Sequence, residues 1–186
     1  MDPTRILEAD HRDVEDLFDK IEAAEGKDRT PFIDELAESL IAHMTLEEEV
    51  VYPAIKPVVG DEPVQEGVTE HELARKTLAD VQKLAPDEPG FGAALEALKA
   101  GIEHHVEEEE NDVFPQVRRD GQQKLDEMST QFMTRRLELG LPLTGEALAA
   151  ASSKEELRAE ADSAGIEGAA SMTKDELAEA LALQMT

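Results

Sequence analysis

Cysteine is missing from the 186 residues, tryptophan is missing too, and the aromatics amount to five Phe and one Tyr. Without thiols there is no disulfide framework, no thiolate zinc or iron–sulfur site and no cysteine nucleophile. Basic residues are scarce as well: 18 Lys and Arg stand against 44 Asp and Glu, a formal charge of -26. Phosphates are held by clustered Lys and Arg, so neither nucleic acid nor an anionic membrane surface is an expected partner. No apolar run approaches the roughly 20 residues that span a bilayer. The opening Met1-Asp2-Pro3-Thr4-Arg5 lacks the basic and apolar regions of a secretion signal. A soluble, cytoplasmic protein is the expectation.

Also absent is any sustained two-residue alternation of Val, Ile and Thr, so no sheet is expected. Ala, Leu and Glu dominate instead, and these are helix formers. Asp2-Pro3 and Thr30-Pro31 each join a capping side chain to a proline at the first helical position. They predict helices over residues 3–24 and 30–53. Proline and glycine breaks then bound a third helix at 63–84 and a fourth from about 91 to 115 or slightly beyond. A fifth, over 122–139, offers Leu125, Met128, Phe132 and Leu139 for packing. The result is an all-α fold: an up-down antiparallel four-helix bundle with a trailing helix, occupying residues 1–139. Residues 140–151 read as a linker, and 152–186 as a small helical module. In that module Ser153-Lys154-Glu155-Glu156 and Thr173-Lys174-Asp175-Glu176 are capping boxes, which predict two short helices.

The histidines carry the chemistry. On the first helix the apolar stripe runs Leu7, His11, Val14, Phe18, Ile21; on the second, Leu36, Leu40, His43, Glu47, Val50. The third runs Val64, Val68, His71, Ala74, Leu78, and the fourth Leu98, Ile102, His105, Glu109, Val113. Steps of three and four put these residues on one face. Every bundle helix thus turns one His inward, and two add a Glu one turn later. A lone core His is ordinarily a hydrogen-bonded core residue. Two buried carboxylates are different, because an unpaired buried charge costs several kcal/mol. The stripes offer no Lys or Arg against them, Arg75 excepted. A cation resolves the conflict.

Repetition supports this. His43 and Glu47 precede Tyr52-Pro53 as His105 and Glu109 precede Phe114-Pro115, each proline ten residues after its His. The shared register selects His105 over His104, which points about 100° away; His104 with Glu108 is the alternative pair. Four His and two Glu exceed a four-coordinate zinc site. They suit two octahedral transition metals with shared carboxylates, iron or manganese rather than calcium. The acidic runs Glu47-Glu48-Glu49 and Glu107 to Glu110 read as solvated faces, with only Glu47 and Glu109 turned inward.

At these residues the chain resembles the hemerythrin-like, HHE cation-binding family. The matching elements are Asp10-His11, the His43…Glu47 pair, Glu70-His71-Glu72-Leu73 and the His105…Glu109 pair, within about residues 4–139. The resemblance implies a bundle around a non-haem di-iron centre. Its ligands would be His11, His43, Glu47, His71, His105 and Glu109, the two Glu bridging, with two iron ions as cofactor. The family's oxygen carriers have a further His where this chain has Arg75, and an Asp five residues after the last-helix His, where Glu109 comes four after. With one imidazole fewer, the resemblance implies an open position near Arg75. It favours catalase-like peroxide decomposition over oxygen carriage. The alternative is a non-enzymatic module that binds dioxygen or senses iron, dioxygen or nitric oxide through the C-terminal segment.

That segment resembles the helix-extended-helix modules of the Rho N-terminal and SAP type, through Glu156-Leu157, Gly165-Ile166-Glu167-Gly168 and Thr173 to Leu177. Such modules often bind nucleic acid with basic residues near the connecting loop. Here the loop reads Gly168-Ala169-Ala170, so docking to a protein partner, or a fold kept without its ancestral function, is the expectation.

Overall fold

In the computed structural model, which describes residues 1–185, helices joined by short turns and loops make up the chain, and no strand occurs among those residues. Helix α1, Pro3–Ala23, starts under Asp2, whose carboxylate accepts the Thr4 N–H at 3.0 Å. A 3-10 turn at Gly26–Arg29 leads into α2, Thr30–Leu46. A π-helical turn, Glu47–Val51, joins α2 directly to α3, Tyr52–Val59. Gly60 stops α3 with φ 94, a conformation that favours glycine. Helix α4, Asp61–Lys83, runs back along the bundle. Helix α5, Phe91–Glu108, passes through a second π-helical turn, Glu109–Val113, into α6, Phe114–Asp120. Then come α7, Gln122–Glu138, α8, Gly145–Ala151, α9, Lys154–Ser163, and α10, Lys174–Met185.

Two expectations are corrected. The second helix does not end at Pro53, and the fourth continues past Pro115 to Asp120. A proline lacks the N–H that bonds four residues back, and its ring crowds that carbonyl, here of Glu49 or Asn111. The widened turn removes the conflict. The Tyr52 N–H bonds the Glu47 carbonyl and the Phe114 N–H that of Glu109, each five residues back, and the helix continues.

The stretch read as a linker contains α8. Thr144 caps it by accepting the Ala147 N–H at 3.1 Å, and Ala147, Leu148 and Ala151 are buried. The Asp2 N–H donates to the Ala151 carbonyl at 2.6 Å, tying α8 to the start of α1. Gly145 lies so close to α10 that a Cβ there would meet Glu179 Cα at 2.9 Å. Both predicted capping boxes form, Ser153 with Glu156 and Thr173 with Glu176.

Two apolar clusters hold the bundle. One joins Phe18, Ile21, Leu36, Leu40, Leu78 and Leu98 toward one end. The other joins Ile6, Leu46, Ile55, Phe114 and Phe132 to Leu148, Leu157 and Leu177 of the C-terminal helices. Each such side chain contributes about 1.5–3 kcal/mol on burial. Between the two clusters lies a polar layer.

Candidate metal centre

The polar layer is made by His11 on α1, His43 on α2, His71 on α4, His105 on α5, and the glutamates that open the two π-helical turns. The histidines are 1–5% exposed, Glu47 0% and Glu109 3%. All six side chains converge. The Nε2 atoms of His43 and His71 both lie 3.3 Å from Glu47 Oε2. Those of His11 and His105 lie 3.5 and 3.6 Å from Glu109 Oε2. His71 Nε2 and His105 Nε2 are 3.1 Å apart. The donors form two groups, His11, His43, Glu47 and Glu109 in one and Glu47, His71 and His105 in the other, each with donor atoms within 4.8 Å of one another. His104, on the next face of α5, is 62% exposed and belongs to neither.

Buried polar atoms normally have partners. Here His11 Nε2, His43 Nε2, both Glu47 oxygens and Glu109 Oε2 have none. A cation is the partner that imidazole nitrogens and carboxylate oxygens can share, so the residues present fit a metal. The charges point the same way. Burial works to lower the His105 pKa, yet the Glu109 carboxylate, the Glu70 hydrogen bond and Glu47 outweigh it and push the value to about 9. Burial likewise opposes protonation of His43, but Glu47 and Asp10 drive its pKa well above the usual value. The carboxylates thus call for positive charge at these imidazoles, as a bound cation would supply.

Each imidazole is aimed by a carboxylate on its other nitrogen. His11 Nδ1 meets Glu110 at 2.9 Å, His43 Nδ1 meets Asp10 at 3.4 Å, His71 Nδ1 meets Glu48 at 2.9 Å and His105 Nδ1 meets Glu70 at 2.9 Å. Such partners fix tautomer and ring orientation and leave Nε2 free for a metal. Three of these carboxylates are held in turn by arginine. Arg136 of α7, 1% exposed, binds Asp10 through two bonds of 2.6 Å. Arg75 donates to Glu48 at 2.7 Å, and Arg12 to Glu110.

Sequence reasoning missed this supporting layer. Glu48 and Glu110 are not solvated parts of acidic runs; their side chains are only 28% and 20% exposed. A signal existed, since Asp10 and Glu70 directly precede His11 and His71, while Glu48 and Glu110 directly follow Glu47 and Glu109. The internal repeat therefore covers the supporting carboxylates too.

Arg75 is turned to Glu48, and a different residue reaches the layer near His71. Tyr52, 4% exposed, donates its hydroxyl to Glu109 Oε1 at 3.1 Å and sits 3.3 Å from His71 Nε2. Its ring stacks on His71 at 5.5 Å, as the equivalent Phe114 stacks on His11 at 6.1 Å. One hydroxyl thus breaks the near-symmetry of the layer. Gly67 makes room for it, because a Cβ there would come within 2.6 Å of the Tyr52 hydroxyl oxygen. Burial, then the Glu47 and Glu109 charges, push the phenol pKa well above normal and keep it protonated. A cleft of about 180 Å³, lined by Tyr52, Gly67, Glu70, His105, Glu108 and Glu109, leads to this side.

Residues 2–117 match the hemerythrin HHE cation-binding domain. The chain belongs to the hemerythrin HHE family. It is 29% identical over 119 residues to an uncharacterised hemerythrin-like protein of Schizosaccharomyces pombe, covering 60% of this chain and 59% of that one. It is 24% identical over 147 residues to a protein of a Nostoc species named DNA nickase, covering 78% of this chain and 42% of that one. The chain thus spans less than two thirds of either relative. A crystal structure of a hemerythrin HHE cation-binding domain-containing protein from Mycobacterium kansasii superposes with a TM-score of 0.61 at 22% identity, over 73% of this chain and 88% of that one. This hemerythrin-like chain is a metal-binding helical bundle, and no helix among its described residues is long and apolar enough to cross a membrane.

Proposed function

We propose that this hemerythrin-like protein holds two iron ions in its polar layer and decomposes hydrogen peroxide there, manganese being the other metal this donor set suits. In this reading His11, His43, His71, His105, Glu47 and Glu109 would hold the ions. The observation that carries it is the set of inward-facing buried donors without protein partners. An all-nitrogen and oxygen set with no thiolate matches these metals. Bound iron supplies the electron transfer by which two peroxide molecules become two waters and one dioxygen.

The chain's own residues do the rest. The cleft admits a molecule of a few atoms, and its rim of Glu66, Glu70, Glu108 and Asp112 favours a neutral one over an anion. The Tyr52 hydroxyl holds a proton beside His71 and Glu109. It can donate a hydrogen bond to a peroxide oxygen and so position it. Apolar neighbours on both sides keep bulk water from the layer.

Oxygen evolution from peroxide by the purified, iron-loaded protein tests this reading. Binding of dioxygen or nitric oxide without turnover would instead favour sensing. One observation supports that second reading: Arg136 joins the Asp10–His43 pair to the Pro142 carbonyl, on the path to the C-terminal helices. The acidic excess, 44 against 18 basic residues, repels phosphates and so disfavours action on DNA by this chain.

A further inference from the structure

The four carboxylates that aim the histidines differ in one respect. Asp10, Glu48 and Glu110 are each clamped by an arginine, and a fixed guanidinium repels an approaching metal ion. Among the described residues, no Lys or Arg is paired with Glu70. Its Oε1 faces His104 Nε2 at 3.5 Å, while its Oε2 meets His105 Nδ1 at 2.9 Å. His104 Nε2 also lies 3.4 Å from Glu108 Oε1. Glu70, His104 and Glu108 therefore form a third group able to share a cation, outside the buried layer. Glu70 and Glu108 also line the cleft together with Tyr52, His105 and Glu109, and Glu109, 3% exposed, turns an unpartnered Oε2 into the buried layer, 3.5 Å from His11 Nε2. A single carboxylate thus connects a surface cation cluster to a buried ligand at the one place where the supporting layer is not sealed by arginine.

We propose that the Glu70–His104–Glu108 cluster is a transit site, at which a divalent metal ion is captured from solvent and passed through the cleft into the buried centre. The inference rests on reading the buried layer as a metal centre. Capture needs weak, exchangeable ligation, and His104 and Glu108 provide it, with side chains 62% and 36% exposed. Acidic neighbours Glu66 and Asp112 on the same cleft raise the local cation concentration, an effect that added salt screens.

The test is the rate at which ferrous iron, added anaerobically to the full metal-free chain, becomes inaccessible to a fast chelator, with final content read by elemental analysis. The double substitution His104→Ala with Glu108→Gln leaves every buried donor in place. It is expected to slow loading roughly tenfold, flatten its salt dependence and leave the final content unchanged. Glu96→Gln, which removes a charge elsewhere on α5, should load at the parent rate. Equal rates in the double variant and parent would overturn transit, as would equal slowing by Glu96→Gln. A lowered final content would also overturn it, since the cluster would then hold resident metal or support the fold. Failure of the parent to load at all would instead strike the buried centre itself, and transit with it.

Discussion

The individual side chain decides what the centre can hold. His43→Ala or Glu109→Ala removes one donor and leaves the others as a half-neutralised polar layer. Both variants should lose bound metal and stability together, read by elemental analysis and thermal melting. His104→Ala should leave metal content untouched. Tyr52→Phe keeps the ring on His71 but deletes the hydroxyl. Peroxide turnover should fall about tenfold to a hundredfold with metal content unchanged; unchanged turnover would remove Tyr52 from the handling of peroxide. The bare protein should also respond to pH. With the His105 pKa raised to about 9 from about 6.5 in the unfolded chain, protonation stabilises the metal-free fold fully below the lower value. That stabilisation is lost as pH rises through the higher one. Melting of metal-free protein should therefore drop between these values, and metal binding should release protons. The inward faces of His11, His43, His71, His105, Glu47 and Glu109 are legible in the sequence because each lies in a stripe of period near 3.6. Tyr52 is not, since an aromatic before proline reads as a helix end.

At the scale of the element, α7 is part of the centre as well as its packing. Its apolar side is visible in the spacing of Leu125, Met128 and Phe132, all buried. Arg136 is not, because an arginine near a helix C-terminus is ordinarily solvated. Its partner Asp10 is buried, and burial acts to raise the Asp10 pKa, but the Arg136 hydrogen bonds and charge, with His43, bring it below normal. Arg136→Met should strand that charge and cost about 3–5 kcal/mol in chemical unfolding. A loss below 1 kcal/mol would mean the pair is not holding the layer. The π-helical turns were hidden for a related reason. Pro53 and Pro115 carry the ordinary mark of a helix stop, and only packing of Ile55 and Val117, both fully buried, favours a wider turn over a break.

Across the whole molecule, the helices after residue 139 are continuous with the bundle core. Leu148, Leu157 and Leu177 share one apolar cluster with Ile6 and Phe132, and the N-terminal amine pairs with Glu156 at 2.6 Å. The segment 140–151 reads as a linker because it is short, rich in Ala and Gly, and weakly patterned; burial against α1 and α10 makes α8 of it. Leu177→Ala should cost about 2–5 kcal/mol and lower the melting of the bundle itself, in a single transition. Two separate transitions would show that the C-terminal helices fold independently.

Elemental analysis of untagged protein, by plasma mass spectrometry alongside its visible spectrum, tests the metal centre most directly. Two irons per chain with charge-transfer absorption, both lost in Glu109→Ala, is the predicted result. No metal, or substoichiometric zinc that survives Glu109→Ala, would contradict it.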